Sequence, residues 1–218
     1  MDVLARLDEA RSATSVLEHP FYQRWSAGEL SAEELGCYAG EYRHAVVALA
    51  RASALAAAKA RAPHAEGLCR HAEEEAAHVA LWDEFAHAVG ARPSPAVRQA
   101  SLAGTEECVE TWTAGEDLLE HLAVLYAIEA GQPEISRTKL EGLGAHYGYT
   151  EEGPATSYFT VHELRDVEHA RQAGELIAEL MADVEDRPEQ VERMVRRASA
   201  ALRGNWRLLD GVEAHARP

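Results

Sequence analysis

The sequence is poor in cysteine and in basic residues. Its three cysteines are far apart among 218 residues and form no Cys-x-x-Cys motif, so neither a disulfide framework nor a cysteine-based zinc or redox site is expected. Lys and Arg number 21 against 37 Asp and Glu, which gives a formal net charge of −16. A surface of that sign repels nucleic acid and anionic membranes, so neither is an expected partner.

Signals for membranes and for several common chemistries are also missing. No run approaches the roughly 18 apolar residues of a membrane-spanning helix. The first residues, MDVLARLDEARS, lack a basic region followed by an apolar one, so we expect no signal peptide and a cytoplasmic protein. We find no glycine-rich phosphate loop, nucleophile elbow or cysteine–histidine arrangement.

Helical periodicity is present along almost the whole chain. Apolar residues recur at i, i+3 and i+4, alanine is abundant, and no alternating strand is convincing. The pattern predicts an all-α protein: a single domain over residues 1–218, built as one compact bundle of about seven to eight helices. The long helices are expected near 3–17, 31–61, 64–89, 116–130, 132–146, 157–183 and from 186 onward, with shorter ones at 95–103 and 105–113 and a loop at 19–22.

The strongest chemical signal is His162-x-x-x-Asp166-x-x-His169, on the helix predicted over 157–183. At 3.6 residues per turn, offsets of four and seven place these side chains within about 60° of one face. Two imidazoles and a carboxylate form a ligand strip suited to iron, manganese or zinc. The alternative is a solvated polar face, because charged residues flank the motif.

A second signal is Glu75-x-x-His78 on the helix predicted over 64–89. Carboxylate-bridged dimetal proteins built in helical bundles use this i, i+3 spacing. His71 and Glu74 lie on the same face of that helix. The alternative is a wet acidic face, because three glutamates follow one another here.

A third signal is Glu129, which continues the apolar stripe of Leu118, Leu122 and Leu125. A carboxylate that points into a core costs several kcal/mol unless it is paired or bound to metal. The alternative is that Glu129, near a helix end, turns outward.

Together the three helices offer three carboxylates and three imidazoles. Such a set can hold two divalent metals, with a bridging carboxylate and open positions for dioxygen. The predicted ligands are Glu75, His78, Glu129, His162, Asp166 and His169.

Four stretches resemble the heme-oxygenase-like diiron oxidase and oxygenase superfamily, whose fold is shared with thiaminase II and pyrroloquinoline-quinone synthase C (the TenA/PqqC-like fold). They are HPFYQRWSAGELSAEELGCYAGEY, HVALWDEFAHAVGA, YAIEAGQPEISRTKLEGLGAHYGY and YFTVHELRDVEHA, beginning at residues 19, 78, 126 and 158. The last two are most similar to the CADD-like branch of para-aminobenzoate synthases. Members of that branch are thought to convert one of their own tyrosines into product.

The resemblance implies roles for particular residues. By position, the metal ligands of that branch fall on residues already singled out: His78, Glu129, His162, Asp166 and His169. Its self-sacrificing tyrosines fall on Tyr22 and Tyr38, and the lysine proposed as an amino donor falls on Lys139. From the residues alone, packing roles for the tyrosines and a surface role for the lysine stay open.

One departure from the branch concerns the helix of His78. The branch has a glutamate seven residues before that histidine, whereas this chain has His71. Other superfamily members use Glu-x-x-His, which Glu75 and His78 satisfy. We therefore predict Glu75 as the ligand, with His71 and Glu74 as alternatives and Glu41 as an additional carboxylate.

Three functional hypotheses follow. The first is a non-haem oxidase with two Fe(II) ions, or an Fe/Mn pair, that uses dioxygen on a small molecule or on its own Tyr22; its reductant is an external one or the protein itself. The second is a metal-free oxidase similar to the quinone synthase, which would not need Glu129 and Asp166. The third is a non-catalytic small-molecule-binding protein. Family likeness also suggests a homodimer.

Overall fold

The computed structural model describes residues 2–91, 102–150 and 152–216, and within these ranges the chain is helical without any strand. The all-α class predicted from the sequence is therefore confirmed. The helices are α1 (Val3–Ala13), α2 (Pro20–Ala27), α3 (Ala32–Lys59), α4 (Ala65–Ala88), α5 (Ala103–Thr113), α6 (Leu118–Glu129), α7 (Gln132–His146), α8 (Ser157–Met181) and α9 (Arg187–Ala216), with a 3-10 helix at Val16–Glu18.

The predicted loop at 19–22 is wrong, because α2 begins at Pro20. Proline suits the first helical position, where its missing N–H costs nothing and its φ is already helical. His19 is extended, as expected before proline, and its Nδ1 accepts the Phe21 N–H at 3.0 Å as an N-cap. Pro20 therefore disfavours helix at His19 and begins helix α2 itself. The first helix is also shorter than predicted, ending at Ala13.

Other helix boundaries agree with those predicted from local sequence signals. The capping box at the start of α3 is present, with Ser31 N–H donating to the Glu34 carboxylate at 2.7 Å and Glu34 N–H donating to Ser31 Oγ at 3.2 Å. α5 corresponds to the helix predicted over 105–113. The helix predicted over 95–103 falls mostly on residues 92–101, which lie outside the described residues.

α8 lies at the centre of the packing that builds the site. It packs on α4, α6 and α7, while α3 packs on α4 and α6. Trp25, Trp82 and Trp112 are fully buried, whereas Trp206 is half-buried against the His19 ring. Among the described residues no helix is both long and apolar enough to span a bilayer. The gap between α4, α6 and α8 is where the predicted ligands meet.

Candidate metal centre

Three helices bring seven potential metal ligands together, and we call this cluster the metal centre. α8 supplies His162, Asp166 and His169, and the last residue of α6 supplies Glu129. α4 supplies three more: His71, Glu75 and His78. All six predicted ligands therefore lie in one cluster, and His71 joins them as a seventh member rather than replacing Glu75.

The metal centre is buried. Glu129 and Asp166 have no exposed surface, and Glu75 is 2% exposed. Three carboxylates in such a place cost several kcal/mol each unless positive charge compensates them. Glu129 thus points inward, and the outward orientation considered for it is excluded.

Nitrogen and oxygen atoms approach one another closely in the metal centre. His71 Nε2 lies 2.9 Å from Glu129 Oε1, and His78 Nδ1 lies 3.1 Å from Glu75 Oε1. His162 Nδ1 donates to Asp166 Oδ2 at 2.9 Å. Three overlapping triads each bring one ligand atom per residue within 4.8 Å of the others: His71–Glu129–His169, Glu75–His78–His162 and Glu75–Asp166–His169.

Unsatisfied polar atoms test whether metals fit this site. Each of the seven side chains has at least one buried nitrogen or oxygen that makes no hydrogen bond, including both carboxylate oxygens of Glu129. The short contacts of His71 with Glu129 and of His78 with Glu75 are close approaches that are not aligned as hydrogen bonds. Buried polar groups are normally satisfied, so a cluster of this size needs a missing partner. Divalent cations supply one, because imidazole nitrogens and carboxylate oxygens are iron and manganese ligands. The residues present fit a pair of metal ions.

Burial disfavours the charged form of His71, His162 and His169, but nearby carboxylates outweigh it and raise the pKa of all three. Burial opposes the charge of His169, but Asp166, Glu129 and Glu74 outweigh it and raise its pKa to about 9. Burial also raises the pKa of Glu129, although His71 opposes that shift. We therefore expect metal binding to release protons, because a ligating imidazole or carboxyl group must give up its proton.

Hydrogen bonds to neighbouring carboxylates orient two of the imidazoles. Glu74 is not in the cluster; its carboxylate accepts from His169 Nε2 at 3.1 Å and pairs with Arg165, leaving His169 Nδ1 for the centre. Asp166 orients the His162 ring in the same way by accepting from its Nδ1, and His162 Nε2 then has no hydrogen-bond partner. Glu41 lies elsewhere and accepts the Thr105 hydroxyl hydrogen at 2.5 Å.

Tyr22, Tyr38 and Lys139 form a second buried group, here called the tyrosine–lysine cluster. Lys139 Nζ donates to Tyr38 Oη at 2.7 Å, and Tyr38 Oη lies 3.2 Å from Tyr22 Oη. All three side chains are 1% exposed or less, so the surface role considered for the lysine is excluded. Burial lowers the pKa of Lys139 well below its ordinary value and raises that of both tyrosines.

Tyr158 and Trp82, two aromatic residues outside the predicted site, lie between the two groups. The Tyr158 ring lies 4.2 Å from the His162 ring and 4.8 Å from Trp82, and Trp82 lies 5.9 Å from Tyr38. Tyr158 precedes His162 by four residues on α8, so its place on the ligand face was readable from spacing. The link through Trp82 was not, because it joins different helices.

The chain is similar to known proteins over most of its length. A family model described as "iron-containing redox enzyme" matches residues 36–205. The chain belongs to this family. It is an oxidoreductase of the iron-containing redox enzymes, and the resemblance stated from the sequence is confirmed.

Relatives agree over nearly the full chain. A protein of Nitrosomonas europaea named 4-aminobenzoate synthase is 31% identical over 226 residues, which cover 95% of this chain and 89% of the relative. A protein of Chlamydia trachomatis with the same name is 33% identical, over 86% of this chain and 84% of its own.

Solved structures establish the fold. A Shewanella denitrificans domain with a heme oxygenase-like fold superposes with a TM-score of 0.80 at 19% identity, covering 99% of this chain and 93% of its own. A TenA homologue of Pseudomonas syringae gives 0.75 at 19% identity, covering 97% of this chain and 91% of its own. The predicted heme-oxygenase-like fold is confirmed.

Proposed function

We propose that this chain is a dioxygen-dependent oxidase whose metal centre holds two metals, either two Fe(II) ions or an Fe/Mn pair. The observation that carries the proposal is the set of seven buried side chains, each with an unsatisfied ligand atom, on three helices. When bound, the metals would activate dioxygen and supply oxidising power. The electrons come from an external reductant or from the protein itself.

We further propose that the reaction yields 4-aminobenzoate, with Tyr22 as the source of the ring and Lys139 as the source of the amino group. Relatives bearing that product's name support the proposal. The tyrosine–lysine cluster supports it too, because the product joins a para-substituted ring to an amine and the cluster holds both components together. A small-molecule substrate in place of Tyr22 is the alternative for the same centre.

The chain's residues prepare this chemistry in definite ways. Burial favours the neutral amine of Lys139, which leaves a lone pair on nitrogen. Tyr38, between Lys139 and Tyr22, can pass a proton between them through its hydroxyl. Five aromatic rings with centroids 4.9 to 5.9 Å from Lys139 Nζ exclude water from this pocket.

Neither remaining hypothesis explains the metal centre as well. A metal-free oxidase would leave Glu129 and Asp166 buried with unsatisfied oxygens. A binding protein has no need of so deeply buried a polar centre. The family to which this chain belongs is also described as iron-containing redox enzymes.

Product analysis tests the proposal. Protein loaded anaerobically with Fe(II), with or without Mn(II), is exposed to air, and 4-aminobenzoate and intact protein mass are measured. We expect product and a loss of protein mass from the wild type, and at least about tenfold less product from Tyr22→Phe and Lys139→Met. Tyr149→Phe is the control, because its hydroxyl donates to Ala88 O, away from the cluster.

Two results would argue against parts of the proposal. Full product yield from Tyr22→Phe would mean that Tyr22 is not the source of the ring: with a loss of protein mass the ring would come from Tyr38, and with unchanged mass from a small molecule. Absence of any air-dependent product or mass change in metal-loaded wild type would contradict 4-aminobenzoate formation itself.

A further inference from the structure

α4 and α8 carry the same ligand pattern. α8 has His162-x-x-x-Asp166-x-x-His169, and α4 has His71-x-x-x-Glu75-x-x-His78. In both helices a carboxylate follows the first histidine by four residues and precedes the second by three, so each helix presents one strip with a carboxylate between two imidazoles. The histidine at position 71 is what makes the strips equivalent.

The two strips face each other and run antiparallel. The first imidazole of α4 lies against the last of α8, with 4.2 Å between the ring centroids of His71 and His169. The last of α4 lies against the first of α8, with 4.6 Å between His78 and His162. We call His71 with His169 the outer pair and His78 with His162 the inner pair.

The carboxylates lie where two metals would need them. Glu75 Oε1 is 3.1 Å from His78 Nδ1, 3.7 Å from His169 Nδ1 and 4.0 Å from His71 Nε2, so it reaches both pairs. Glu129, in contrast, belongs to the outer pair through His71. Every imidazole of the two pairs has one ring nitrogen without a hydrogen-bond partner.

We propose that His71 is a metal ligand and that each of the two metals is held by a pair of histidines, one from each helix, with Glu75 reaching both. This inference rests on the dimetal centre of the proposed function. It adds a fourth imidazole to the predicted set and makes His71 a ligand in addition to Glu75.

The two positions differ in the space beside them rather than in the exposure of their histidines, since His78 is 8% exposed and His169 6%. A cavity of about 430 Å³ between α4 and α8 is lined by both members of the outer pair, and His64 and Glu179 also line it. The inner pair does not line that cavity, and Tyr158 packs on His162. The outer metal is therefore the one with room for an added small ligand, and we expect a chelator to reach it first through this cavity.

Cobalt(II) is a suitable probe, because its visible absorption bands report the number of nitrogen and oxygen ligands. Metal-free protein is titrated anaerobically with Co(II), and bound metal is counted after removal of the excess. Wild type should bind about two ions per chain and His71→Ala about one. His71→Glu should bind about two with altered visible bands, because an oxygen donor replaces a nitrogen. His87→Ala, exposed on the same helix, should match wild type.

Different outcomes overturn different claims. Two Co(II) ions in His71→Ala with the wild-type spectrum would overturn the role of His71 and leave the dimetal centre standing. Failure of wild type to bind two ions would contradict the dimetal centre and this inference with it.

Unmodified protein gives a second measurement that does not depend on the folding of a variant. Excess chelator added to the two-cobalt protein should remove the metal in two phases of about equal amplitude, the faster from the outer pair. Loss of both ions in a single phase would overturn the distinction between outer and inner positions.

Discussion

Lys139 shows how burial changes the chemistry of one side chain. The sequence contains only two lysines, and one of them lies wholly inside the protein among aromatic rings. Its hydrogen-bond partner is Tyr38 rather than a carboxylate, and burial lowers its pKa well below the ordinary 10.5. The sequence could not show this, since Arg137 and other charged neighbours made an exposed helix face equally plausible.

The lowered pKa makes stability depend on pH in a defined direction. Between the folded pKa and 10.5 the unfolded chain binds a proton that the folded chain does not, so the free energy of unfolding rises with pH. Lys139→Met removes this contribution. We expect the stability of the variant relative to wild type to fall by roughly 1 kcal/mol or more between about pH 6 and about pH 9.

Urea unfolding of metal-free protein at several pH values measures that difference. Lys59→Met is the matched control, because Lys59 is exposed, and its difference from wild type should stay constant. A constant difference for Lys139→Met as well would mean that the buried amine is not the source of the pH dependence.

At the scale of helices, a feature could be predicted when all the residues that form it lie within one helix. The strip on α8 and the capping box of α3 each lie within a single helix, so spacing and local chemistry were enough to predict them. The role of His71 could not be predicted from spacing, because it depends on the direction in which α4 runs past α8. The hydrogen bond between Lys139 and Tyr38 likewise depends on how α3 and α7 meet, which no periodicity encodes.

Gly142 places α7 against α2. A Cβ at this position would lie 2.6 Å from Trp25 Cδ1, and Trp25 Nε1 donates to Lys139 O at 3.2 Å. Gly142→Ala must therefore displace a fully buried tryptophan, and we expect it to lower the free energy of unfolding by about 1–3 kcal/mol.

Gly144 in the same helix gives a matched comparison. The atom nearest to a Cβ added at Gly144 would be Tyr149 O at 3.9 Å, which is an ordinary van der Waals contact. Gly144→Ala should be neutral or stabilising by up to about 1 kcal/mol, because alanine favours helix. Chemical denaturation of both variants measures the contrast, and equal stabilities would contradict the packing described for α7 on α2.

At the scale of the whole molecule, the fold brings distant segments to one charged centre. The candidate ligands come from α4, α6 and α8, which are separated by long stretches of chain, and two clusters of buried hydrophobic residues form the core of the molecule. Helical periodicity was enough to predict the all-α class, and the joint occurrence of three motifs was enough to predict six of the seven residues that meet there. The sequence does not predict helix α2, because a proline disfavours helix in the residue before it and equally suits the first position of a new helix.

The metal content of the protein tests the central claim most directly. Metal-free protein is titrated anaerobically with Fe(II), and bound iron per chain is measured. We predict about two irons per chain in wild type and in His87→Ala, with specific binding lost or at least halved in His162→Ala and Glu129→Ala. No specific iron binding by wild type, or equal binding by all four proteins, would contradict the account of α4, α6 and α8 as a dimetal site.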